Sequence, residues 1–256
     1  MANPGDDVEA PAVLGLLADP VRWRLVTELG RSDRRVAELV ELVGKPQSLV
    51  SYHLAELRRA GIVLPRRSSA DGRDVYYRAD LYGCRDLLAG AVSAIHLGLT
   101  AVSPPKMLRG GARVLFLCTG NSSRSQMAEA LVEHRSAGGV VARSAGSHPK
   151  PLHATAVQVM ADRGIDIAGR ATKSYARFAR HRFDRVITLC DKVREVCPDF
   201  PGRPVAAHWS IPDPAAEATY DAFADVADDI ERRVTLLLAD LADLGASPQD
   251  ERTHHG

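Results

Sequence analysis

Residues Val114 to Leu131 read VLFLCTGNSSRSQMAEAL. The run Arg113–Leu117 is short, apolar and strand-like, and Ser125 to His134 carries a helical pattern. Between them the loop Cys118-Thr119-Gly120-Asn121-Ser122-Ser123-Arg124-Ser125 links strand to helix with C-x5-R-S spacing. Small residues and Gly120 let successive backbone N–H groups converge on a tetrahedral oxyanion, and the N-terminus of the helix reinforces that nest. Arg124 adds a planar fork suited to two oxygens of the same anion. The positive surroundings favour a Cys118 thiolate, to which Ser125 can donate a hydrogen bond. The loop is therefore expected to bind a phosphate-like anion above a nucleophile. No GxxxxGK[ST] motif occurs, which excludes a nucleotide P-loop.

Working outward, a departing oxygen needs a proton donor. The strand-like run Pro204–Ala207 leads into His208-Trp209-Ser210-Ile211-Pro212-Asp213-Pro214, so Asp213 stands in a Pro-flanked loop as the candidate general acid. Cys190 and Cys197 follow another strand-like run in VITLCDKVREVCPDFPG, Val186–Gly202. On a continuous helix, positions seven apart are separated by about 10 Å along the axis. A disulfide needs Cα atoms within about 7 Å. These two thiols can pair only if the segment between them loops or unwinds, and Pro198, Pro201 and Gly202 loosen its far end.

The chain of 256 residues is 45% hydrophobic and 25% charged, with 33 Lys+Arg against 32 Asp+Glu. Near-zero net charge leaves no global basic field, so any nucleic-acid surface must be local. Four cysteines, Cys84, Cys118, Cys190 and Cys197, form no CxxC pair, so a structural zinc ribbon is not expected and no metal site is assigned. The longest apolar run, Leu87 to Val102, is too short and interrupted to span a bilayer. The acidic start MANPGDDVEA lacks a signal-peptide pattern, and the chain reads as cytoplasmic.

SPPKMLRGG, Ser103 to Gly111, joins a Pro pair to a Gly pair and is taken as a linker (103–111) between domains at 11–102 and 112–245. Before it, from Ala12 to Arg59, apolar residues recur at helical spacing. Leu14, Leu17, Val21, Leu25 and Val26 suit two short helices punctuated by Asp19-Pro20. Val36, Leu39, Val40 and Val43 make a helix that stops at Gly44. After Lys45-Pro46 a second begins, with Leu49, Val50, Leu54 and Leu57 inward. That is a helix-turn-helix. Its outward face is expected to present Gln47, Ser48, Ser51, Tyr52 and His53 to base edges and phosphates. Ile62–Leu64 and Asp74–Tyr77 flank the turn Ala70-Asp71-Gly72 as a hairpin carrying Arg66, Arg67, Arg73 and Arg78, a basic wing able to track a phosphate backbone. The fold class expected is thus two domains, a mainly α winged helix-turn-helix followed by an α/β domain.

LADPVRWRLVTEL (17–29), SLVSYHLAELRRAGIV (48–63) and DGRDVYYR (71–78) occur in the order of the ArsR family of winged helix-turn-helix repressors, which residues 11 to 100 resemble. The resemblance implies operator DNA as partner and a homodimer through the first helix and a helix from Leu81 to Leu99. Many members sense metal or arsenite through cysteines in the helix before the recognition helix. Here that helix, Arg35 to Val43, has none, and Cys84 is the only thiol in this half.

VLFLCTGNSSRSQMAEAL, RSAGS (143–147), RGIDI (163–167), DRVITLC (184–190) and HWSIPDP (208–214) resemble the low-molecular-weight protein tyrosine phosphatase superfamily, over Arg113 to Leu244. That implies three layers around a central parallel sheet. Cys190 and Cys197 bring the chain nearer the thioredoxin-coupled arsenate reductase branch. The resemblance implies that Cys118 attacks arsenate, Cys190 attacks the adduct, Cys197 resolves the disulfide and thioredoxin reduces it, with no tightly bound cofactor. It also implies a potassium site, of which Asn121, Glu129 and Ser144 match while the later acidic ligand is replaced near Ser174. Ala215 and Ala216 stand where phosphatases carry aromatic residues against a phosphotyrosine ring. Two rivals remain: a phosphatase using Cys118, Arg124 and Asp213, and a regulator that senses an oxyanion without turnover.

Overall fold

The computed structural model describes residues 11–95 and 111–244. The chain divides into two compact units, residues 1–103 and 104–256. The ends of the two sequence-derived domains and all but the last residue of the linker fall outside the described residues.

In the first unit, α1 (Ala12–Leu17) precedes α2 (Pro20–Arg31), which opens where Asp19 accepts from Val21 N at 2.9 Å and Arg22 N at 3.0 Å. Proline at the first helical position costs no hydrogen bond there, so Asp19-Pro20 is a strong start. α3 (Val36–Val43) ends at Gly44, whose φ of 66° is open to glycine at little cost and turns the chain into α4 (Gln47–Arg59). The wing is β2 (Val63–Arg67) and β3 (Val75–Ala79), paired antiparallel from Val63 opposite Ala79 to Arg67 opposite Val75. A two-residue strand missed by the sequence reading, β1 (Arg34–Arg35), pairs with the other edge of β3. α5 (Leu81–Ser93) closes the unit, capped by Asp80. The helix expected to reach Leu99 ends at Ser93, and Leu99 itself lies outside the described residues.

Leu25, Leu39, Val50, Leu54, Leu57 and Ile62 form the centre of this small core. Three expectations need correction. Leu14 and Leu49 are 41% and 37% exposed and lie outside it. His53, expected on the outward face, is 6% exposed. The helical period explains this: His53 lies three residues after Val50 and four before Leu57, on their buried stripe.

The second unit has four parallel strands in the order β5-β4-β6-β7. They are β4 (Ala112–Cys118), β5 (Val140–Gly146), β6 (Arg185–Thr188) and β7 (Val205–His208). Val114 to Cys118 are all buried, as a central parallel strand covered on both faces requires. Burying Leu115, Phe116 or Leu117 contributes about 1.5–3 kcal/mol each. The connecting helices are α6 (Arg124–Ser136), α7 (Ala154–Ala161) and α8 (Asp191–Glu195), followed by α9 (Tyr220–Leu244). Strand order reverses at β4, so right-handed crossovers put α6 and α8 on opposite faces, giving three layers. The C-terminal ends of β4 and β6 meet at this reversal, where open α/β sheets hold their ligands.

Candidate active site

Cys118 closes β4 and is 2% exposed. The loop after it is anchored through its carbonyls. Cys118 O accepts from Ser147 N at 3.3 Å and Thr119 O from His148 N at 2.9 Å. Gly120 O accepts from Lys150 N and Ser122 O from His153 N, both at 2.9 Å. In a trans peptide the N–H points opposite to the C=O, so carbonyls turned to the 147–153 segment aim the following N–H groups to the concave side. Asn121 N accordingly donates to Cys118 Sγ at 3.1 Å. Asn121 holds φ 47°, a left-handed conformation that asparagine tolerates.

Gly146, quoted in RSAGS but given no role from sequence, makes the fit possible. A Cβ there would stand 2.6 Å from Thr119 O and 2.8 Å from Asn121 N. Only a residue without a side chain lets the end of β5 pass so close beneath the loop.

Ser125 Oγ lies 3.0 Å from Cys118 Sγ and accepts from Asn121 Nδ2 at 2.9 Å. The second proton of that amide goes to Ser144 Oγ at 2.8 Å. Asn121 Oδ1 accepts from Lys173 N at 2.7 Å and Gln126 Nε2 at 3.2 Å. A backbone N–H can only donate, which fixes the orientation of this amide. Ser144 Oγ donates to Glu129, which also meets Lys173 Nζ at 3.2 Å.

Arg124, at 5% exposure, donates from Nη1 to Ile211 O at 3.0 Å, and its Nη2 meets Asp213 Oδ2 at 3.2 Å. Its Nε is buried and finds no hydrogen-bond partner among the described residues. Asp213 is exposed and caps a 3-10 turn at Pro214–Ala216 through Ala215 N. Structure thus keeps Cys118, Thr119, Gly120, Asn121, Ser122, Ser123, Arg124 and Ser125 together in one loop and the start of α6, and brings Asp213 to Arg124.

Cys190 stands at the N-cap position of α8 just beyond β6 and is 2% exposed. Its Sγ lies 3.2 Å from Thr119 Oγ1. α8 covers only 191–195, so no continuous helix joins the two thiols, and Cys197 lies past its end with Sγ 3.7 Å from Pro198 O. Burial, with the Asp199 carboxylate, pushes the Cys197 thiol up to about 11. Asp191, fully buried, meets His208 Nε2 at 3.0 Å and Ser210 Oγ at 2.7 Å, tying the start of α8 to the loop that leads to Asp213. Sequence reasoning missed this tie, because histidine, serine and aspartate at such separations carry no spacing signal.

In the first unit Gln47, Ser48, Ser51 and Tyr52 are exposed on α4. His53 is not with them; its Nδ1 lies 3.9 Å from Asp19 Oδ1. Arg66 is half-buried, Arg67 and Arg73 are exposed, and Arg73 pairs with Asp71 at 3.0 Å. Cys84 is buried, which pushes its thiol up. Among the described residues no group of three or more His, Cys, Asp or Glu could hold a metal ion, and no helix is long and apolar enough to cross a membrane.

Residues 19–64 match the family model for bacterial regulatory proteins of the arsR family. A glutaredoxin arsenate reductase of Synechocystis sp. is 31% identical over 130 residues, covering 51% of this chain and 98% of the relative. An arsenate reductase of Halalkalibacterium halodurans is 36% identical over 126 residues, covering 47% and 91%. A solved arsenate reductase in the phosphate binding state is 30% identical, with TM-score 0.45, covering 51% of this chain and 99% of that one. The family model for low molecular weight phosphotyrosine protein phosphatase matches residues 113–246. The chain belongs to the low molecular weight phosphotyrosine protein phosphatase family, preceded by an arsR-type helix-turn-helix.

Proposed function

We propose that this chain is an arsenate reductase (112–245) joined through a linker (103–111) to a dimeric, operator-binding winged helix domain (11–102), acting in the cytoplasm. The observation that carries the enzymatic reading is the second thiol, Cys190, held by Thr119, the residue next to Cys118. A phosphatase needs only one thiol.

In this reading arsenate sits on the loop N–H groups and on Arg124, whose unpartnered Nε supports an anionic occupant. Cys118 thiolate bonds to arsenic(V), and the displaced oxygen leaves as water with a proton from Asp213. Cys190 thiolate then attacks Cys118 sulfur. The S–S bond forms, the S–As bond breaks, and its electron pair stays on arsenic, which leaves as arsenite. Cys197 attacks Cys190, freeing Cys118. Thioredoxin reduces the Cys190–Cys197 disulfide, restoring both thiols.

For the first domain, exposed Gln47, Ser48, Ser51 and Tyr52 would read bases while Arg66, Arg67 and Arg73 contact phosphates. Exposed Leu14 on α1, with Leu87 and Leu88 on α5 and Ile95 beyond it, support self-association through these helices.

The test is arsenite production with thioredoxin, thioredoxin reductase and NADPH, beside glutathione with glutaredoxin and beside aryl phosphate hydrolysis. The glutaredoxin arm is included because the Synechocystis relative carries that name. Arsenite formed steadily with thioredoxin supports the reading. Hydrolysis without arsenite would favour the phosphatase, and neither would favour an oxyanion sensor.

A further inference from the structure

The cluster beneath the loop contains a charge pair that the reaction above does not use. Glu129 on α6 is 4% exposed, and a carboxylate so deep requires a partner. It has Ser144 Oγ and, at 3.2 Å, Lys173 Nζ. Lys173 enters from the segment after α7, held there by its backbone: its N–H goes to Asn121 Oδ1 at 2.7 Å and its carbonyl accepts from Gly146 N at 2.8 Å.

The oxygens that would ligate a potassium ion are committed. Asn121 Oδ1 faces Lys173 N and Gln126, Ser144 Oγ takes a proton from Asn121 Nδ2, and the Glu129 carboxylate is neutralised by the ammonium. The residues present do not fit the implied ion.

We propose that Lys173 is a positioning residue whose ammonium takes the place of a monovalent cation in the Glu129–Ser144–Asn121 cluster. The consequence runs along directed hydrogen bonds. Lys173 balances Glu129, Glu129 takes the Ser144 proton, and Ser144 accepts one N–H of Asn121. The other N–H goes to Ser125, whose own proton is then left for Cys118 Sγ, 3.0 Å away. An internal ammonium keeps this arrangement in every salt.

The experiment uses the full chain at constant ionic strength in choline, potassium, ammonium or tetramethylammonium chloride. It reads phosphate affinity by calorimetry and the melting temperature. Wild type is expected to be indifferent to the cation. Lys173→Ala is expected to bind phosphate about tenfold more weakly in choline, with affinity and melting temperature rising saturably in potassium or ammonium but not in tetramethylammonium. A merely structural lysine would give the loss without the rescue. Should Lys173→Ala fail to fold in choline, Lys173→Met combined with Glu129→Gln removes both charges and is expected to fold with no response to potassium. Potassium dependence of wild type or of that double variant, or a Lys173→Ala protein indifferent to every cation, overturns the proposal. Neither readout requires turnover. Wild type that binds no phosphate would sink the oxyanion reading, while the melting temperatures still decide this one.

Discussion

Thr119 Oγ1 and Cys190 Sγ lie 3.2 Å apart, although 71 residues separate them. The contact brings the loop after β4 against the loop after β6 and holds a second thiol one residue from Cys118. A Cys190→Ser variant is expected to stop arsenite release while sparing aryl phosphate hydrolysis, which needs Cys118, Arg124 and Asp213 alone. Arsenite and phosphate assays on one preparation separate the two. Sustained arsenite production by this variant with thioredoxin would remove Cys190 from the mechanism.

Cys118→Ser is expected to abolish both activities, since an alcohol is not ionised near neutral pH. Arg124→Lys should lose most of both, because a point charge cannot span two oxygens or meet Ile211 O and Asp213 together. Asp213→Asn should slow aryl phosphate hydrolysis by about 10²–10⁴-fold while phosphate binding persists. Initial rates and calorimetry read these directly.

Gly146→Ala tests the close passage under the loop. Its Cβ would meet the Thr119 and Asn121 backbone, which cannot swing aside as a flexible side chain can. The expected cost is about 1–3 kcal/mol of stability, with a larger proportional loss of phosphate affinity. Urea unfolding of wild type and variant measures the first. An unchanged midpoint would mean the loop has room that this geometry denies it.

If Cys197 performs the proposed resolving step, that step is expected to be sensitive to pH. The half-buried thiol, pushed up to about 11, is neutral near pH 7, and only its thiolate attacks a disulfide. Its raised value also stabilises the closed segment below the ordinary thiol range, and that contribution is lost as pH rises from about 9 towards 11. Cys190–Cys197 formation after one arsenate turnover should climb steeply above pH 7. It should level near the ordinary thiol range, because attack needs the segment open and the thiol exposed. Rapid quench and peptide mapping follow it. A rise that continues to pH 11 would mean Cys197 reacts from its half-buried position.

The winged domain should bind duplex DNA with an affinity that falls steeply with salt. Arg66→Ala and Arg73→Ala should reduce that slope, whereas Gln47→Ala and Ser48→Ala should change sequence preference. His53→Ala should act through stability, since the ring is packed inside. Titrations at several salt concentrations, with thermal melts, distinguish these cases.

What the sequence determined was local. The C-x5-R-S loop between strand and helix, the helices of the first unit and the turn at Gly44 announce themselves through spacing within a few residues, because capping, backbone freedom and a 3.6-residue period are properties of neighbouring residues. That same period already placed His53 beside Val50 and Leu57, so its burial was legible and was misread. The tertiary structure alone decided which distant groups meet. Lys173 reaches Glu129 across 44 residues and Cys190 reaches Thr119 across 71, while Gly146 owes its role to loop backbone that no sequence interval specifies. These contacts exist because β4 lies between β5 and β6, so that the loops leaving three parallel strands converge at one end of the sheet. Strand order is fixed by packing of the whole domain, and no periodicity along the chain encodes it.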